Sequence, residues 1–141
     1  MDNLIKDMFK DVVGRGIDKV HALKGLRALS RYYGGQQLYI PQKKTALAEE
    51  IIGVMADAIG ESDAEAIYEV IASFYGGVQW YVPMEKNAFR KLIAEDIERR
   101  YDGTTKSMRK ICREYEISYS QVYRLFYEAR KRRLENELDF D

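Results

Sequence analysis

The sequence predicts a mainly α-helical protein: a helical domain carrying a short two-stranded antiparallel β-ribbon, followed by a C-terminal trihelical helix-turn-helix. Three observations carry this expectation. The segment Tyr33-Gly34-Gly35-Gln36-Gln37-Leu38-Tyr39-Ile40-Pro41 recurs as Tyr75-Gly76-Gly77-Val78-Gln79-Trp80-Tyr81-Val82-Pro83. At the same offset Ala22 matches Ala64, Lys44 matches Lys86 and Ala46 matches Ala88, so a helix–strand unit is duplicated. Elsewhere apolar residues recur at the three-to-four spacing of amphipathic helices. Near the C-terminus, Ser118-Tyr119-Ser120-Gln121 forms a capping box directly after a tight turn.

In chain order, Met1 to Phe9 mixes charges into its apolar positions, unlike a secretory signal. A helix is expected from Asp18, with Val20, Leu23, Leu26, Leu29 and Tyr33 on one face. Gly34-Gly35 ends it, because glycine takes left-handed backbone without steric penalty. Alternation follows, with Gln37 and Tyr39 opposite Leu38 and Ile40, the pattern of a short strand with one wet face. Pro41 closes the strand, since proline cannot donate to a ladder. Thr45 then caps an acidic helix, Ala46 to Ile59.

The second copy repeats this plan. Ser62-Asp63-Ala64-Glu65 reads as a capping box, Ile67, Tyr68, Ile71, Phe74 and Tyr75 as a buried stripe, and Gly76-Gly77 as the stop. Gln79 and Tyr81 oppose Val78, Trp80 and Val82, Pro83 ends the strand, and Asn87 stands as N-cap where Thr45 stood. Two such strands need partners for their backbone groups, within one chain or between two, and helices on their apolar face.

From Ala88 a long helix is expected, with Phe89, Leu92, Ile93, Ile97 and Tyr101 on one face and a stop at Asp102-Gly103. Thr105 caps a second helix that buries Met108, Ile111, Cys112 and Tyr115. Glu116-Ile117-Ser118 forms the turn, and the third helix points Val122, Leu125 and Phe126 inward. Glu116 occupies a position where glycine is common, at about 1 kcal/mol if the turn needs positive φ. The expected organisation is a duplicated helix–strand domain over 1–86, a helix-turn-helix over 87–134 and an acidic tail over 135–141.

The zero net charge conceals segregation. Residues 1–44 hold 9 Lys/Arg against 4 acids, residues 45–85 hold 8 acids and no Lys/Arg, and residues 86–134 hold 14 Lys/Arg against 7 acids. The basic charge lies where a nucleic-acid module needs it. A single Cys112 excludes an internal disulfide framework, and with His21 alone it cannot complete a metal cage, so no metal and no cofactor is expected. No apolar run approaches the roughly 20 residues of a membrane span, and a cytoplasmic protein, in a bacterium or the host of a phage, is expected. Nor does an enzyme fit: the diglycines lack the spacing of a nucleotide fingerprint. His21 sits without a plausible partner in a first helical turn, and Cys112 reads as a small core residue.

A trihelical helix-turn-helix lays its third helix in the major groove of double-stranded DNA, with the helix before it crossing the backbone. The outer face here carries Tyr119, Ser120, Tyr123, Arg124 and Tyr127 as base-reading candidates. Arg124 suits bidentate contact to guanine. Lys106, Arg109, Arg113, Arg130, Lys131, Arg132 and Arg133 are the phosphate-contact candidates, with salt-dependent affinity as the consequence. Gln37 and Tyr39, like Gln79 and Tyr81, share an exposed strand face suited to minor-groove or phosphate contact.

The stretch from Ser62 to about Leu134 resembles the Mor/C family of phage transcription activators. The resemblance rests on Gly76-Gly77-Val78-Gln79-Trp80-Tyr81-Val82-Pro83, then Tyr115-Glu116-Ile117-Ser118 and Val122-Tyr123-Arg124, in that order. It implies a homodimer on DNA with strands paired across the subunit interface, and a role in DNA contact for Gln79 and Tyr81 and, through the repeat, Gln37 and Tyr39. It further implies activation beside a phage-type promoter through RNA polymerase. The chain departs from that pattern in holding two strand units and one helix-turn-helix. Two other readings use the same residues: a repressor or recombination or packaging accessory protein, and an assembly protein that does not bind DNA.

Overall fold

A computed structural model describes residues 4–138, and the chain divides into two compact units, one up to Ala88 and one from Phe89. Helix α1 spans Ile5–Gly14, α2 Lys19–Tyr33, strand β1 Gln37–Tyr39, α3 Ala46–Ile59, α4 Glu61–Tyr75, β2 Gln79–Tyr81 and the short α5 Glu85–Ala88. The second unit holds α6 Arg90–Arg100, α7 Thr105–Tyr115 and α8 Tyr119–Leu138. The mainly helical class with one antiparallel ribbon is as expected. Of the acidic tail, residues 135–138 continue α8, while residues 139–141, like the first three residues, lie outside the described span.

In the first unit β1 pairs with β2 of the same chain, in the register Gln37 with Tyr81, Leu38 with Trp80 and Tyr39 with Gln79. Because the repeat offset carries Leu38 onto Trp80, this register is an internal two-fold. The flanking hydrogen bonds obey it: Gly35 N–H donates to Val82 O at 2.8 Å and Gly77 N–H to Ile40 O at 2.7 Å, while Val82 N–H donates to Gln36 O at 2.9 Å and Ile40 N–H to Val78 O at 3.0 Å. Leu38, Ile40, Trp80 and Val82 point into a core filled by Leu26 and Leu29 of α2, Ile67 and Ile71 of α4, Ile51 and Met55 of α3, and Met8 and Val12 of α1. Gly25 keeps α2 close to its neighbours: a Cβ there would lie 3.0 Å from Ile67 Cδ1 and 3.1 Å from Ile59 Cδ1.

The two glycines of each pair do different work. Gly34 and Gly76 have ordinary extended backbone (φ −52° and −57°), so the expectation of left-handed geometry holds only for Gly35 and Gly77, at φ +81° and +91°. The first glycine is needed for space instead. A Cβ on Gly34 would stand 2.4 Å from Ser30 O, and one on Gly76 2.5 Å from Ala72 O.

Several local expectations are corrected. Gly60, at φ +90°, both ends α3 and precedes α4, so the helix starts at Glu61 and Ser62 falls inside it without a capping bond. Phe74 is 51% exposed, as is its repeat equivalent Tyr32 at 58%, because that position points away from the bundle; the Arg15 guanidinium sits 5.2 Å over the Phe74 ring. Val78 is exposed too, as it precedes the paired segment. Asn87 lies within α5, which begins two residues earlier at Glu85, where the carboxylate receives Arg27 and Arg31 from α2 at 2.9–3.1 Å. Helix α1 was not anticipated, although Ile5, Met8 and Val12 are its buried face. Asp18 and Thr45 cap α2 and α3 through His21 N–H and Ala48 N–H, each at 3.2 Å.

Candidate nucleic-acid interface

In the second unit the expected long helix is broken at Phe89, and α6 starts at Arg90 with Ile93 and Ile97 buried; α6 and α8 form the main packing contact, closed by α7. The cap of α7 is Thr104, not Thr105. Its hydroxyl accepts from Ser107 N–H at 3.1 Å, while the Asp102 carboxylate accepts from Thr104 N–H at 2.9 Å and its hydroxyl at 2.6 Å. These donors, the Thr104 side chain first, hold the Asp102 carboxyl down to about 2.

Helix α7 ends on Glu116, left-handed at φ 56° and ψ 45°, with Ile117 N–H reaching Cys112 O at 3.2 Å. The turn thus does require positive φ from a non-glycine residue. Two residues on, the capping box at Ser118 is formed: Gln121 N–H donates to the Ser118 hydroxyl at 3.2 Å, and the Gln121 side-chain oxygen accepts Ser118 N–H at 2.9 Å. This fixes the start of α8 and therefore the rotation of its faces.

Val122, Leu125, Phe126 and Ala129 are buried, which leaves Tyr119, Ser120, Tyr123, Arg124 and Tyr127 exposed along the other side. Tyr123 is not loose: its ring meets Tyr101 edge-on at 5.9 Å, and Tyr101 meets Phe126 at 5.3 Å. Hydrogen bonding with Tyr123 pushes the Tyr101 hydroxyl up to about 12.

The seven phosphate candidates separate by environment. Among the described residues, Lys106, Arg109, Arg113 and Lys131 form no ion pair, and neither does Arg124. Arg132 pairs with Glu128 at 3.2 Å, and Arg133 pairs with Glu98 at 3.0 Å and Glu137 at 3.1 Å, so both are already engaged within the unit. Arg130 stacks over Phe126 at 4.7 Å.

A buried carboxylate that the sequence reading overlooked braces this unit. Asp96 on α6 is 6% exposed and accepts from Tyr115 Oη of α7, from Arg99 at 2.6 Å and from Arg100 at 2.8 Å, while Arg100 also reaches Glu114 at 2.6 Å. Burial and then Asp96 itself drive the Tyr115 hydroxyl far upward, so it stays a donor. The available signal was an acid on the apolar side of α6, three and four residues before arginines. Cys112 is half-buried on α7, and burial raises its thiol.

On the ribbon, Gln37, Tyr39, Gln79 and Tyr81 form one exposed face in which Gln37 opposes Tyr81 and Tyr39 opposes Gln79; the tyrosines are 42% and 53% exposed. In the same unit His21, expected to lack a partner, binds Asp63 through Nδ1 and so joins the first turns of α2 and α4.

The model of the Mor transcription activator family matches residues 42–138. The chain belongs to this family. The matched span contains α3, α4, β2 and the whole described helix-turn-helix, and it leaves α1, α2 and β1 ahead of it. Searches of curated proteins and of solved structures give no match. Mor family membership makes this a transcription regulator, in a family of regulators and not of enzymes. Among the described residues no helix is long and apolar enough to cross a membrane.

Proposed function

We propose that this Mor family protein is a sequence-specific activator that binds double-stranded DNA through α8 at a promoter of a phage or mobile element and touches RNA polymerase there. The observation that carries the reading is the capped start of α8. The Ser118–Gln121 box sets the helix so that Tyr119, Ser120, Tyr123, Arg124 and Tyr127 face outward together, with Arg124 outside any described ion pair. Arg124 has the donor fork for guanine, Lys106, Arg109, Arg113 and Lys131 supply phosphate contacts, and the Gln/Tyr ribbon face adds a polar surface suited to phosphates or the minor groove.

Binding of the full chain to duplex DNA, titrated against salt, tests this reading. Arg124→Ala is expected to cost about 1–3 kcal/mol, roughly 5- to 150-fold, on the specific site and to relax base preference there. Lys106→Ala weakens every duplex alike and reduces the salt slope by about 1. A promoter reporter then separates activation from repression: output rises with the intact protein and not with Arg124→Ala. Absence of binding at low salt would sink the proposal, and a fall in output would replace activation by repression.

A further inference from the structure

Resting on the DNA-binding reading above, we infer that Tyr101, at the corner between α6 and α7, is a positioning residue for base recognition: it holds the Tyr123 side chain of α8 in the orientation that reads the site. The outward row of α8 carries a tyrosine on each of three successive turns, Tyr119, Tyr123 and Tyr127, all of them exposed. Among the described residues only the middle one is met by an aromatic ring from outside its own helix. Tyr101 approaches the Tyr123 ring edge-on, with centroids 5.9 Å apart and planes at 79°, and approaches the buried Phe126 ring at 5.3 Å and 87°. Tyr127, by contrast, has its ring contact with its chain neighbour Phe126. Edge-to-face packing is a favoured aromatic geometry, and Tyr101 makes it with the inward and the outward side of α8 at once.

The wedge is itself held in place. Tyr101 N–H donates to Ile97 O at 2.8 Å, and the backbone then leaves the helix at φ −74° and ψ 117°. Just before it, Arg100 ties the end of α6 to Glu114 of α7 at 2.6 Å; just after it, the Asp102 carboxylate accepts Thr104 N–H at 2.9 Å. Phe126 is fixed in turn, being buried with the Arg130 guanidinium 4.7 Å over its ring.

An exposed tyrosine on a helix ordinarily samples two χ1 settings, which place its hydroxyl differently. With Tyr101 against its ring, Tyr123 presents that hydroxyl from one place, on the face it shares with Ser120 and Arg124. The side chain is then ordered before DNA arrives, and the entropy otherwise lost on binding is spared. Tyr101 thereby acts on specificity through Tyr123, whereas contacts to phosphate do not depend on it.

The test uses the full chain and a duplex that the unaltered protein enriches from a random library, with an unrelated duplex of equal length beside it. Tyr101→Leu is expected to weaken the enriched duplex about 2- to 12-fold, the cost of one side chain left unordered, and to leave the unrelated duplex and the salt slope unchanged. Tyr101→Phe, which keeps the ring, retains tight binding. In a Tyr123→Ala background Tyr101→Leu causes no further loss, because residues that act as a unit are not additive. Thermal unfolding checks each variant, and if Tyr101→Leu does not fold, Tyr101→Met takes its place in the same comparisons. An equal loss on both duplexes, a further loss in the Tyr123→Ala background, a Tyr101→Phe variant as weak as Tyr101→Leu, or no loss at all overturns the positioning role and leaves the DNA-binding reading standing. Enrichment of no duplex by the unaltered protein, with no salt-dependent binding, overturns both.

Discussion

The two copies of the helix–diglycine–strand unit share a local design and diverge where they meet different neighbours. Each copy ends its helix on a glycine whose Cβ would strike the carbonyl four residues back, follows it with a left-handed glycine and buries the middle residue of a three-residue strand. Beyond that the copies part. The strand centre is Leu38 in one and Trp80 in the other, Tyr33 is buried against Glu50 whereas Tyr75 is half-buried against Asp11, and only the second copy has a carboxylate, Glu85, locked by Arg27 and Arg31. Features imposed by the backbone are duplicated, and features set by packing are not, since a seat in a core depends on what lies across from it.

The strand centres test this contrast hardest. Trp80→Ala is expected to cost about 4 kcal/mol and Leu38→Ala about 3, the gap reflecting the larger cavity left by indole; denaturant unfolding gives both, and equal losses would mean that the ribbon centre is symmetric in energy as well as register. Gly34→Ala and Gly76→Ala come next, at about 1–3 kcal/mol each. Their costs should agree, because the conflict lies within each glycine's own helix, and a difference above about 1 kcal/mol would show that Met84 and Gln42, their respective cross-copy neighbours, matter more.

Removal of the tyrosine hydroxyls has a smaller effect, about 1 kcal/mol, and larger for Tyr33→Phe than for Tyr75→Phe because Tyr33 is more deeply buried. Burial first and the carboxylate partner second raise both phenols above their ordinary 10. A raised folded value means that the stabilisation is complete below pH 10 and fades as pH rises beyond it, so the wild type should lose stability on the alkaline side faster than the double phenylalanine variant. Smallest is Glu85→Gln, below about 1 kcal/mol because Arg31 is well exposed and solvent screens the pair. Arg31 holds the Glu85 carboxyl below its ordinary value of 4.5, against the opposing effect of burial. Its contribution is therefore present above pH 4.5 and lost as pH falls through the lowered value; a variant with an unchanged acid limb would refute the asymmetric clamp.

Much of this was legible in the chain because it depends on short-range stereochemistry. The diglycine stops, the Gln-x-Tyr alternation, the Thr45 cap and the Ser118–Gln121 box are each settled within a few residues. Misreadings arose where a neighbouring residue could do the same work. Thr104 takes the capping role from Thr105 because Asp102 and Ser107 hold it, and Gly60 starts α4 before Ser62 can cap it. Helix α1 was missed because its apolar positions are interleaved with charge, and its buried face is defined by packing against α2 and α4.

By itself the sequence determined the helix–strand duplication and the exposed Gln/Tyr and Tyr/Arg faces, which follow from spacing and residue chemistry, and, through its match to the family model, the family to which the chain belongs. Only the tertiary structure decided that the strands pair within one chain, that Asp96 braces the helix-turn-helix, and that Arg132 and Arg133 are spoken for by acids. The physical reason is range. A periodicity or a cap is written into neighbouring residues, whereas a strand register or a buried ion pair joins side chains whose separation along the chain says nothing of their separation in space.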